Sequence, residues 1–159
     1  MHNIHISANE LYSPTWKNEK ELVGHDLINL YTLDLSGKVI DKQPLENLIG
    51  KELSLSSSNR FFYTRDGKKL IFNAGNTDVV KNSVGPNEAV YVLDLINKKT
   101  NRISPEGLNA SHVYVTADDQ IFYSASKTSD SNFHIYTADL NGTTKMIIEK
   151  GMSPTAALK

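Results

Sequence analysis

Few residues in this chain have the types and spacing that chemistry needs. His25-Asp26 pairs an imidazole with a carboxylate, a combination that serves as a general base or a metal ligand, and Trp16 and Lys17 stand just upstream. No third partner is visible beside the pair, so the default reading is a solvated loop with one aromatic packing down. His2 and His5 are spaced i, i+3, which puts their rings on opposite faces of a strand and suits a shared metal poorly. Asp118-Asp119 and Asp130 bring carboxylates together, but no D-x-[DN]-x-[DN]-G pattern for calcium surrounds them. His112 opens one apolar run and His134 lies in another. The chain has no G-x-S-x-G, H-E-x-x-H, G-x-x-x-x-G-K-[ST] or G-x-G-x-x-G sequence, so the common hydrolase, zinc-peptidase and nucleotide-binding chemistries have no footing. Asn109-Ala-Ser111 and Asn141-Gly-Thr143 match the glycosylation sequon, and the second is already spoken for as a hairpin turn.

Composition narrows the classes further. The chain has 159 residues, 39% hydrophobic and 22% charged, with a formal net charge of -1, the profile of a soluble globular domain with a core of its own. A balanced charge offers no phosphate-binding surplus, so nucleic acid is not an expected partner. No run of 18 apolar residues exists, so no membrane insertion is expected. With no cysteine, disulfides, thiolate metal sites and cysteine nucleophiles are excluded. The N-terminus lacks the basic and apolar regions of a secretory leader; the compartment stays open, periplasmic or extracellular if a leader has been removed. No cofactor is implied.

The elements that must position these residues are strands. A five-residue phrase, Tyr-x-x-Asp-Leu, occurs at Tyr31–Leu35, Tyr91–Leu95 and Tyr136–Leu140, each copy between an apolar residue and a tight-turn signal. Upstream of the second and third copies lie two strands about a turn, at Asp66-Gly67 and Asp118-Asp119; downstream of every copy lies a return strand after Ser36-Gly37, Asn97-Lys98 or Asn141-Gly142. Glycine supplies the positive φ that such hairpin turns require. In the first unit Ile4–Ala8 and Leu11–Ser13 read as the first two strands and 14–28 as a long loop. Residues 44–50 read as a connection. Four-stranded units recurring at about 40 to 50 residues are the signature of β-propeller blades. Tyr91, Leu93 and Leu95 share one strand face and Val90 and Val92 begin the other; apolar residues on both faces mean both faces are covered, as adjacent blades cover each other. The Asp of the phrase is placed to accept hydrogen bonds from the following turn.

Thr64-Arg65-Asp66-Gly67-Lys68-Lys69-Leu70-Ile71-Phe72 resembles the Ser-Pro-Asp-Gly-Lys-Lys-Ile-Ala-Phe core of TolB-like propeller repeats, the WD40-like or PD40 repeat. Val90–Leu95 and Asn101-Arg102-Ile103-Ser104 are similar to the strand and the Arg-Arg-Leu-Thr that follow that core. The third unit lacks the Gly of the turn and is one residue shorter, the first keeps Ser7-Ala8-Asn9 and the phrase alone, and the Pro before the Asp is missing from all three. The resemblance implies an all-β fold of three propeller blades: 2–43, 52–104 and 108–149, with 150–159 a tail or the start of a further strand. Members of the family include free-standing binding proteins, propellers preceding serine peptidase domains, and lyases.

Three blades do not close a ring, since propellers have four to eight. The expectation is either a homodimer closing a six-bladed ring or a segment of a longer propeller. The whole number of blades, in register, is what a closing head-to-tail interface needs. Long loops at 14–28, 76–88 and 126–132 would share one rim and the tight turns the other. Function concentrates in irregular loops on a rigid scaffold, so the expected function is a non-enzymatic binding module that recognises a protein or peptide partner through the long-loop rim. The expected contacts are Trp16, His25, Asp78, Lys81 and His112. The alternative is the propeller portion of an enzyme, gating a peptidase or carrying a sugar-acid lyase site.

Overall fold

A computed structural model describes residues 10–76, 87–127 and 132–155. The first sheet runs β1 (Tyr12–Asn18), β2 (Glu21–His25), β3 (Asn29–Asp34) and β4 (Val39–Pro44), each antiparallel to the next. The second contains β5 (Leu53–Ser54), β6 (Phe61–Tyr63), β7 (Lys69–Asn76), β8 (Glu88–Asp94) and β9 (Lys99–Arg102); β5 and β6 both pair with β7. They are two halves of one interrupted inner strand. The third runs β10 (Leu108–Val115), β11 (Ile121–Lys127), β12 (His134–Ala138) and β13 (Thr144–Ile148). Among the described residues the chain is therefore all-β apart from one five-residue helix, α1 (Leu45–Ile49), and its three antiparallel meanders are three propeller blades.

The middle blade shows why they stack. Side chains alternate across a strand, and in β7 Leu70, Phe72 and Ala74 enter the core shared with the first blade while Ile71 enters the core shared with the third. In β8, Ala89, Tyr91 and Leu93 face the first blade and Val90 and Val92 the third, as the phrase at Tyr91–Leu95 predicts. Phe61, Phe72 and Tyr91 stack in a row, with ring centroids 5.4 Å and 5.6 Å apart; each such pair adds about 1 kcal/mol beyond the area it buries.

Two segments depart from the sequence reading. Residues 14–28 are not a loop: β1 and β2 fill most of that span and are the first two strands of the first blade. Residues 1–9, where Ile4–Ala8 suggested a strand, lie outside the described residues. The 44–50 connection contains α1, which buries Leu45, Leu48 and Ile49 against Val23 and Leu30 and so closes the seam between the first two blades.

The inner strand of every blade is broken in its course. A register shift follows Tyr12 in β1, where Ser13 has φ 47°, and another follows Ser111 in β10, where His112 has φ 53°. In the middle blade residues 55–60 separate β5 from β6. Such breaks bend a strand and re-aim the side chains beyond them. At the far end of the chain Gly151 N–H donates to the Phe133 carbonyl, and Ser153 N–H to the Ser124 hydroxyl, so this stretch runs back along the outer face of the third blade.

Candidate ligand-binding groove

The tight turns are built from short polar side chains closing on their own backbone. Asp34 Oδ1 accepts the N–H groups of Ser36 and Lys38, Asp94 Oδ1 those of Ile96 and Asn97, and Asp139 Oδ1 those of Asn141 and Thr143. The Asp of the repeated phrase therefore fastens the turn after its strand. Hydrogen bonding holds each of these carboxyls below its usual range: chiefly the Ser36 hydroxyl for Asp34, the Asn97 N–H for Asp94 and the Thr143 N–H for Asp139. Between the first two strands of a blade a second device recurs. Thr64 donates its hydroxyl to Asp66 at 2.7 Å and accepts the Lys69 N–H; Thr116 donates to Asp118 at 2.6 Å and accepts the Gln120 N–H. Asp118 is thus a turn residue.

Hydrogen bonds lock the blades to one another at this end. The Thr15 hydroxyl donates to the Phe61 carbonyl, joining β1 to β6. Arg65 N–H donates to Asp119 Oδ1 at 2.8 Å, joining the turns of the second and third blades. The inner strands so held enclose an open groove of about 1050 Å³. Trp16, Phe62, Tyr63 and Tyr114 give it aromatic walls, and Arg60, Arg65, Glu19, Asp118 and Asp119 give it charge. Trp16 is 60% exposed, a costly way to leave a large apolar ring unless something covers it. Phe62 meets Tyr114 edge-on at 6.1 Å. Lys17 bridges Glu21 at 3.1 Å and lies over the Tyr63 ring, so its charge is already matched.

Of the residues singled out by sequence, Trp16 stands in the groove. His25 does not: it is fully buried between the first two blades, where Nε2–H donates to the Asn59 carbonyl at 2.9 Å and Nδ1 accepts the Leu27 N–H at 3.3 Å. Both nitrogens are occupied by structural bonds, which fixes a neutral ring, and burial pushes its pKa down. Its neighbour Asp26 turns away to cap the 26–29 turn and accept the Tyr31 hydroxyl at 2.7 Å, so the His25-Asp26 pair is not a catalytic dyad. His112 does not open its strand. It is the fifth residue of β10, exposed at the bulge, with Nδ1 2.9 Å from the Ser111 hydroxyl and outside the groove lining. Asp78 and Lys81 lie outside the described residues, as do His2, His5, Asp130 and most of the 76–88 and 126–132 stretches. Sequence reasoning passed over Arg60, Phe62, Tyr63, Arg65 and Tyr114. Phe61-Phe62-Tyr63 carried a signal, since aromatics on both faces of one strand place it between two neighbouring blades, where the groove walls meet. The groove opens at the tight-turn rim, where the turns after β1, β6 and β10 meet. Among the described residues no cluster of three metal-ligating side chains occurs, and no helix is long and apolar enough to cross a membrane.

The chain's likeness to solved structures is one of fold. It aligns with TolB from Acinetobacter baumannii at TM-score 0.50 and 18% identity, over 91% of this chain and 45% of that one. The fold is that of TolB-like propellers. An oligogalacturonate lyase in complex with manganese aligns at TM-score 0.50 and 14% identity, over 88% of this chain and 36% of the lyase. The chain spans under half the length of either. No protein-family profile and no curated protein matches it.

Proposed function

We propose that this chain is a non-enzymatic binding module, an arc of a TolB-like propeller that recognises a protein or peptide partner. The observation that carries this reading is the groove along the inner strands, where Trp16 is 60% exposed beside Phe62, Tyr63 and Tyr114. Exposed aromatic rings on rigid strands supply large contact area at little entropic cost, which is the composition of an interaction hot spot. The hydrogen bonds that hold the inner strands and turns together preorganise that surface. Further blades complete the ring, either from a second copy or from a longer chain of which this is a part. Solution mass separates those two: a dimer mass favours the second copy, and a monomer mass favours further blades.

Selection from a displayed peptide library tests the binding role. The reading expects binders that lose this chain when Trp16 is replaced by alanine. Enrichment of binders indifferent to both Trp16→Ala and Phe62→Ala contradicts it.

A further inference from the structure

We infer that the groove takes an extended acidic peptide, with carboxylate side chains meeting Arg60 and Arg65 and apolar side chains lying on the aromatic wall; this rests on the binding reading above. The argument comes from which groups are left unsatisfied. Most polar side chains of the groove are spent on the fold: Thr15 on the Phe61 carbonyl, Asp118 on the Thr116 hydroxyl, Asp119 on the Arg65 N–H. Arg60 and Arg65 are different. Both are exposed, and neither guanidinium has a hydrogen bond or ion pair among the described residues. Arg102 shows what the fold does with a structural arginine: its guanidinium donates to the carbonyls of Ser104 and Pro105. Two guanidinium groups without partners, next to rings, present forked donors suited to carboxylates.

The same pattern favours a peptide over a sugar acid. A polyhydroxylated ligand needs a dense set of free acceptors and donors, and here the Thr15 and Thr116 hydroxyls and the Asp118 and Asp119 carboxylates already hold bonds within the fold. Two charged anchors on an apolar wall match side chains alternating along an extended chain. Glu19 lies on the first-blade side and Asp118 and Asp119 on the third-blade side, so the acidic positions of the ligand fall between them, on the second-blade side with Arg60 and Arg65.

Trp16 is the sole tryptophan, so its indole N–H gives one cross-peak that reports on the groove directly. The probes are acetyl-Glu-Phe-Glu-Phe-Glu-amide, the same peptide with Lys or with Gln in place of Glu, and trigalacturonate, each titrated into the 159-residue chain. The expected result is a saturable shift with the Glu peptide, about tenfold weaker binding of the Gln peptide and none of the Lys peptide. Arg60→Gln and Arg65→Gln should each weaken the Glu peptide about five- to tenfold while leaving the rest of the spectrum in place, the scale of losing one charge-assisted contact. Equal or tighter binding of the Lys peptide overturns the acidic preference and leaves the binding role standing. A shift with trigalacturonate and with no peptide overturns the peptide as occupant. No movement of the indole peak with any probe counts against both the acidic peptide and the groove itself.

Discussion

Asp119 Oδ1 accepts the backbone N–H of Arg65 at 2.8 Å, so the turn of the third blade holds the turn of the second and fixes the span of the groove between them. Asp119 does this from a positive φ of 62°, a conformation that Asp and Asn tolerate better than other non-glycine residues. Asp119→Asn keeps both the acceptor and the backbone preference and should change stability by under about 0.5 kcal/mol. Asp119→Ala loses both and should cost about 1 to 2 kcal/mol, measured by urea unfolding.

Trp16→Ala should leave stability within about 0.5 kcal/mol of the parent, because the ring is mostly in solvent. Its effect on a selected ligand should be at least about tenfold, the loss expected of an aromatic anchor. Parallel denaturation and calorimetric titration check both halves. A variant that unfolds as easily as it loses ligand contradicts the separation.

Glu88 is buried and has its two oxygens on different amides, Asn59 Nδ2 at 3.0 Å and Asn73 Nδ2 at 2.6 Å. Glu88→Gln sets a donor against one of those donors and should cost about 2 kcal/mol, the scale of an unsatisfied buried group. Adding Asn73→Asp restores an acceptor facing the new amide and should recover part of the loss. Thermal unfolding of the two singles and the double is the check; a strictly additive double rules out the pairing.

The histidine and aspartate of the first blade should be seen in the pH dependence of stability. Burial lowers the His25 pKa against the opposing Asn59 carbonyl and Asp26 charge. The unfolded chain therefore takes up the proton first, and stability present above about pH 6.5 falls as pH drops below that value. For Asp26 burial acts upward but is outweighed, first by the Tyr31 hydroxyl and then by the turn N–H groups, leaving a pKa of about 2. Its contribution is present above the unfolded aspartate value near 3.9 and is lost as pH falls from there toward 2. Urea midpoints from pH 7.5 to 5 should decline in the parent and stay flatter in His25→Gln. Asp26→Asn should flatten the separate decline below pH 4.

Much of the blade was legible because it is written by local rules. The Tyr-x-x-Asp-Leu strands, their two apolar faces and the Asp-fastened turns follow from period-two alternation and from short acceptors closing on nearby N–H groups. The first two strands of the first blade were hidden for a physical reason. β1 shows Trp16, Asn18 and Pro14 to the groove and the solvent, so it carries polar and charged residues where a buried strand would alternate, and its bulge at Ser13-Pro14 breaks the pattern further. The helix α1 was too short to show a period. The groove was the least legible part. Its walls come from three blades, and contacts far apart in sequence, the hydrogen bonds from Thr15 to Phe61 and from Arg65 to Asp119 and the Phe62–Tyr114 ring pair, are what make these segments neighbours.

The central claim, that ligand lies on the inner-strand aromatic wall, is tested most directly by Trp16 fluorescence during titration with a selected peptide binder. The account predicts a saturable shift in Trp16 emission with the same midpoint as calorimetry. Binding that is plain by calorimetry while Trp16 emission does not change would contradict it.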